Sequence, residues 1–135
     1  MTGSAVYDAG MLIALAKGDN AAEREHWKAC QGLRPIVPGP VLGQVWRGAR
    51  QHSRLSFALR RCDVRTAYSE ADYKRVGEML GEVALGPRKR PDVVDALVAY
   101  TAVACEPAIV LTSDPGDIEA YLATLRKART MLVPV

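Results

Sequence analysis

The chain has 135 residues, a length typical of one domain, with 49% hydrophobic residues, 24% charged residues and a formal net charge of +3. That balance excludes a disordered or low-complexity chain, and about two-thirds of the unfolded surface is expected to be buried without disulfide or metal staples. No apolar run approaches the ~20 residues of a bilayer-spanning helix, and MTGSAVYDAG has no basic region ahead of a long apolar stretch, so neither a membrane anchor nor a secretion signal is expected and the expected location is cytoplasmic.

Ser4-Ala-Val-Tyr-Asp8 reads as a first strand and Met11–Lys17 as a short apolar helix. After the turn Gly18-Asp19-Asn20, Asn20 is the expected N-cap of a helix to about Cys30. Pro35-Ile-Val37 is a short strand. Pro40 opens a helix to about His52, and a further helix covers about Arg54 to Arg61. Asp63-Val-Arg-Thr66 is a third strand, and Ser69-Glu-Ala-Asp72 has the spacing of a capping box that starts a helix to about Leu80.

Gly86 to Pro91 is a loop leading into a helix over Asp92–Cys105. Ala108-Ile-Val-Leu-Thr112 is an apolar strand, Asp114-Pro-Gly-Asp117 begins another helix, and Met131-Leu-Val133 is the last strand. Strands alternating with helices predict a parallel sheet covered on both faces, and the absence of polar alternation in AIVLT fits that burial. There is no internal repeat or linker, so one α/β domain over residues 1–135 is expected.

Cys30, Cys62 and Cys105 are too far apart in sequence for a CxxC zinc knuckle and are expected to be buried thiols of a reducing compartment. His26 and His52 lie in polar, helical stretches and read as surface residues, which argues against a zinc centre or a Cys–His nucleophile. Basic charge is concentrated: nine Lys or Arg residues stand against two acids between Arg24 and Arg65, and further clusters lie at Arg88-Lys89-Arg90 and around Arg126 to Arg129. Such clustering suits either a phosphate-rich partner or a solvated helix face.

Three aspartates carry the functional reading. Asp8 ends the first strand and Asp114 lies two residues beyond the strand 108–112, so both emerge at the carboxyl edge of a parallel sheet, where open α/β folds place ligands. Asp95 sits in the first turn of its helix, on the same face as Asp92. Capping is the competing reading for each of these acids, because Asp is among the preferred N-cap residues. If the three converge at about 5 Å, each pair repels by roughly 3 kcal/mol at an effective dielectric of 20, and a hard divalent cation relieves the repulsion. Oxygen ligands without His or Cys point to Mg²⁺ or Mn²⁺, which serve phosphodiester hydrolysis.

The stretches VYDAGMLIALAKGD, PVLGQVWRGAR, VVDALVAYTAV and IVLTSDPGDIEAYL, in that order, resemble the PIN-domain family and within it the VapC-type toxin ribonucleases of prokaryotic toxin–antitoxin pairs. The resemblance covers nearly the whole chain. It implies a three-layer α/β/α fold with a mostly parallel five-stranded sheet and an acidic Mg²⁺ or Mn²⁺ site that cleaves RNA. On it, Asp8, Asp95 and Asp114 are the metal-binding and catalytic acids, and Asp92 and Asp117 lie one helical turn away. Gln44 takes the place where the family usually carries a glutamate, which keeps an oxygen acceptor and removes one negative charge.

Thr112 and Ser113 are candidates for holding a water or phosphate at the site, or for ordinary turn bonds. Arg47, Arg50, Arg88, Lys89 and Arg90 are candidates for RNA phosphate contact, while Trp46 reads as core or dimer interface. Tyr73, Val76, Met79 and Leu80 follow helical spacing and read as core or partner-facing. The implied partners are an RNA substrate, a small VapB-type antitoxin that covers the site through a basic side chain, and a second copy in a homodimer. Two other readings stay open: a catalytically weak PIN module that binds RNA or an antitoxin, favoured by Gln44, and a phosphotransfer domain with Asp8 as acceptor, which would need a lysine near the acids.

Overall fold

A computed structural model describes residues 3–48, 52–125 and 129–135. Along the chain come β1 (Ser4–Tyr7), α1 (Ala9–Ala16), α2 (Asn20–Ala29), β2 (Ile36–Pro38), α3 (Gly39–Val45), α4 (His52–Leu59), β3 (Asp63–Arg65), α5 (Glu70–Glu82), α6 (Val93–Ala104), β4 (Ala108–Thr112), α7 (Pro115–Thr124) and β5 (Thr130–Pro134). The strands form one sheet in the order β3-β2-β1-β4-β5, and every pairing is parallel, where the sequence led us to expect a mostly parallel sheet. Helices α5, α6 and α7 pack on one another, and α1 packs on α2, α3 and α4, so the sheet lies between two helical layers.

The central strands are apolar on both faces because both are covered. Val6, Tyr7, Val110 and Leu111 have no exposed surface, and Leu97, Val98 and Ala99 of α6 and Met11 and Leu12 of α1 close over them. The edge strands are less enclosed: Met131 of β5 is 68% exposed. In α5, Val76 and Met79 are buried and Leu80 is partly buried, while Tyr73 stays exposed. None of the described helices is long and apolar enough to cross a membrane.

Local chemistry sets most element ends as expected, with three corrections. The Ser69–Asp72 capping box is formed, with both reciprocal bonds present. The cap of α2 is Asp19 and not Asn20: its Oδ2 accepts from the Ala22 N–H at 2.9 Å, because the chain leaves Gly18 (φ +76°) extended at Asp19. The helix opened by Pro40 ends at Val45 rather than near His52. It is short and glycine-containing, and Trp46 leaves the helical path to stack on His52 with ring centroids 3.8 Å apart. Trp46 is therefore a half-exposed stacking partner of His52, not a core residue.

The third correction concerns the histidines and cysteines. Both histidines lie on helices, yet neither is a free surface group: His26 is half-buried with the Tyr7 hydroxyl 2.8 Å from its Nδ1, and His52 is half-buried against Trp46. All three cysteines are free thiols, and of them only Cys62 is fully buried. Two exposed arginines of the basic segment also brace the backbone: Arg34 donates to the Cys62 carbonyl and Arg54 to the Lys17 carbonyl, each at 2.9 Å.

Candidate active site

The strand order places β1 beside β4, with the chain running outward to β2 and β3 on one side and to β5 on the other. That is a topological switch point, where the loops after neighbouring parallel strands diverge and leave a crevice at their carboxyl ends. Asp8 follows β1 and Asp114 follows β4. Tyr7 pairs in register with Leu111, so Asp8 stands level with Thr112. The Asp8 N–H donates to the Leu111 carbonyl at 3.0 Å and extends the ladder to the crevice itself.

Asp8 is buried, at 5% exposure, and its two oxygens are engaged from opposite sides. Oδ1 accepts from the Ala9 N–H and Oδ2 from the Thr112 hydroxyl, both at 2.7 Å. Thr112 Oγ1 in turn accepts from the Asp114 N–H at 3.0 Å, so a relay of two bonds joins the ends of β1 and β4. Gly10 allows α1 to approach the turn after β4: a Cβ there would lie 2.9 Å from the Ser113 nitrogen and closer still to its side chain. Ser113 itself is exposed.

The helix opening at Asp92 supplies the third wall. Asp92 caps α6 with Oδ1, accepting from Val94 N–H at 2.8 Å and Asp95 N–H at 3.1 Å, and its own N–H donates to the Tyr121 hydroxyl at 2.8 Å. Tyr121 is almost fully buried and ties the start of α6 to α7. Nothing in the sequence reading singled it out, although it lies four residues after Asp117 and so on the same helix face. Capping and site placement are thus combined in Asp8, Asp92 and Asp114, while Asp95, one turn into α6, caps nothing.

The acids share one electrostatic environment. Asp95 is half-buried and its carboxyl is pushed up to about 7, first by burial and then by the charges of Asp8, Asp92, Asp117 and Asp114. Burial also raises Asp8, against the pull of its bonds from Thr112 and Ala9. Asp114 goes the other way. Lys89 Nζ donates to Asp114 Oδ2 at 2.8 Å and to Asp117 Oδ1 at 2.9 Å, which holds the Asp114 carboxyl below the usual carboxylate range. Lys89 is raised by the same two bonds.

Lys89, a candidate for RNA phosphate contact, instead serves the acids as a local cation: it reaches Asp114 and Asp117 from the loop before α6 and is engaged by their carboxylates. Arg88 and Arg90 beside it are exposed, as is Arg47, whose Nε donates to the Gln44 carbonyl at 2.8 Å. Arg50 lies outside the described residues. Gln44 is half-buried and lines a shallow depression of about 450 Å³ with Ala9, Ile13, Val45 and Arg47, next to the start of α1.

Among the described residues, no three His, Cys, Asp or Glu side chains are gathered so as to hold one metal ion, so the three-carboxylate ligand set expected from the sequence is not assembled. Lys89 holds Asp114 towards Asp117. Among the described residues no cation pairs with Asp8, Asp92 or Asp95, which are hard oxygen donors, and the Asp8 charge disfavours ionisation of Asp95. Mg²⁺ binds through as few as one or two carboxylates and keeps several waters, so Asp8 and Asp95 are the side chains left to hold such an ion.

Comparison with solved structures identifies this architecture. The chain is similar to a chain in the crystal structure of VapBC2 from Rickettsia felis bound to a DNA fragment from their promoter, with a TM-score of 0.66 and 16% sequence identity over 97% of this chain and 98% of that one. The fold is PIN-like. At that identity the likeness is one of backbone path, and no protein-family model or curated protein sequence matches the chain. In the PIN-like fold, Asp8, Asp92, Asp95, Asp114 and Asp117 stand at the starts of α1, α6 and α7, around the crevice between β1 and β4.

Proposed function

We propose that the chain is a metal-dependent endoribonuclease of the VapC type, the toxin of a toxin–antitoxin pair. The reading is supported by placement: Asp8 follows β1 and Asp95 lies in the first turn of α6 in a PIN-like fold whose switch point falls between β1 and β4, and Asp95 is pushed up to about 7, first by burial and then by the charge of Asp8. A site that makes carboxylates costly in the absence of a cation is suited to binding one. The ion, Mg²⁺ or Mn²⁺, would be held by Asp8 and Asp95. Bound there, such an ion makes water more acidic and offsets charge on a phosphodiester.

The chain's own groups do the remaining work. Thr112 and the Ala9 N–H each hold one oxygen of the Asp8 carboxylate. Asp92 and Tyr121 hold the α6 start in place. Exposed Arg47, Arg88 and Arg90 guide the RNA backbone by phosphate contacts, which makes binding salt-sensitive. A small VapB-type antitoxin is the proposed protein partner, and a homodimer the proposed assembly.

A second reading, a binding module with negligible turnover, is favoured by Gln44 and by the engagement of Asp114 with Lys89. Purified protein on structured RNA separates the two. The nuclease reading predicts cleavage in Mn²⁺ that stops on chelation and is absent in Asp95→Asn. Binding without cleavage in every divalent metal would favour the module.

A further inference from the structure

Residues 86–91 are all exposed, so no apolar side chain anchors the loop between Leu85, which packs partly against the core, and Asp92 at the start of α6. What fixes the loop is polar. The Lys89 N–H donates to the Gly86 carbonyl at 3.0 Å and closes a turn with Pro87 in its second position, where the ring sets φ in advance. The Lys89 ammonium then crosses to the start of α7 and donates to Asp114 Oδ2 at 2.8 Å and Asp117 Oδ1 at 2.9 Å. At the end of the loop the Asp92 N–H donates to the Tyr121 hydroxyl of the same helix at 2.8 Å. Among the described residues, Lys89 is the one side chain of 86–91 that bonds to another element.

Arg88 and Arg90 flank that anchor. Both are exposed, and among the described residues neither pairs with a carboxylate. The basic run is thus divided: its middle cation is taken by the protein's own acids and its outer two are open to solvent. We propose that Lys89 is a positioning residue: its clasp on Asp114 and Asp117 holds the loop against α7, so that Arg88 and Arg90 meet an RNA backbone from a fixed place beside the crevice. The inference rests on the RNA-cleaving reading above and does not depend on a bound ion.

Lysine suits this task because a compact ammonium with three donors on a flexible stem can satisfy two carboxylates at once. The Lys89 side chain is half-exposed and its ion pairs are solvent-screened, so the clasp adds little to global stability. Its effect is on where the loop lies. A loop already ordered loses less conformational freedom on docking than a loose one, and two arginines carried by it bind phosphate as a unit. Without the clasp the same two charges remain, on a loop that must be ordered by the RNA itself. The clasp therefore sets how much the arginines contribute, which a general loss of positive charge does not.

The test is a double-mutant cycle on RNA affinity, read by fluorescence anisotropy of a labelled single-stranded RNA of mixed sequence, at low salt and with a chelator present. The Arg88→Ala/Arg90→Ala pair is introduced into the wild type, into Lys89→Gln and into Lys74→Gln, which loses the same charge on α5, with folding checked by circular dichroism. The expected result is that the arginine pair is worth at least fivefold in affinity in the wild type and in Lys74→Gln, and less than twofold in Lys89→Gln. An equal loss in all three backgrounds would overturn the clasp and leave the arginine contacts and the RNA reading standing. No loss in the wild type would overturn the arginine contacts and the role of Lys89 with them. No binding of RNA by the wild type would overturn the RNA reading itself, and this inference with it.

Discussion

Thr112 and Asp8 lie 104 residues apart in sequence, and the Thr112 hydroxyl donates to Asp8 Oδ2 at 2.7 Å in the interior of the protein. The same oxygen of Thr112 accepts the Asp114 N–H, so one hydroxyl fixes both a buried carboxylate and the turn that carries the next acid. Asp8 is thereby oriented by the strand that delivers Asp114, and β1 and β4 are tied at their functional ends as well as along their ladder.

Replacing that hydroxyl should be felt in stability as well as in the site. Thr112→Val leaves a buried carboxylate oxygen and a backbone N–H short of a partner, which costs about 1–3 kcal/mol. Thr112→Ser keeps both bonds and should lose less. Urea denaturation of the two variants at neutral pH checks the difference, and equal losses would show that the methyl group, not the hydroxyl, matters.

Gln44 tests the register of α3 against the acidic edge. It lines the depression beside Ala9, the residue after Asp8. If that depression opens towards the cation, Gln44→Glu adds a charge worth about 1 kcal/mol, or roughly fivefold in Mn²⁺ affinity. Calorimetric titration of the variant reads this directly. An affinity equal to that of the wild type would place position 44 outside the site.

His26 predicts an acid-side loss of stability unrelated to the metal. Burial, and then the Arg61 charge, hold its imidazole below the usual histidine pKa, against an opposing pull from Glu23. The unfolded chain binds a proton at about 6.5, which the folded chain refuses. Stability present above that pH is therefore lost as pH falls below it and on through the lower folded-state pKa. Urea melts from pH 7.5 to 5.5 should show a decline that is reduced in His26→Gln, and an unchanged slope would assign the decline to other groups.

Much of the fold was legible because local signals agreed with the tertiary result. AIVLT and SAVY are covered strands, Ser69 with Asp72 forms its capping box, and the aspartates after β1 and β4 reach the same edge. The early end of α3 was not legible, since the stacking of Trp46 on His52 is a contact made only after the chain folds. Lys89 was visible only as one member of a basic run. Its pairing with Asp114 and Asp117 depends on how the loop 86–91 crosses the edge, which no spacing in the sequence encodes. Tyr121 was missed because its role is to accept a backbone N–H from a distant helix start.

The central claim, that Asp8 serves a divalent-ion-dependent cleavage of RNA, is tested most directly by the single-turnover cleavage rate of Asp8→Asn at saturating Mn²⁺. Asparagine keeps the size of the side chain, and its one oxygen can still accept from the Ala9 N–H while its amide donates to Thr112 Oγ1, so the fold should survive. We predict a rate at least a hundredfold below that of the wild type. A rate within threefold of the wild type, in a variant with an unchanged melting profile, would contradict the account.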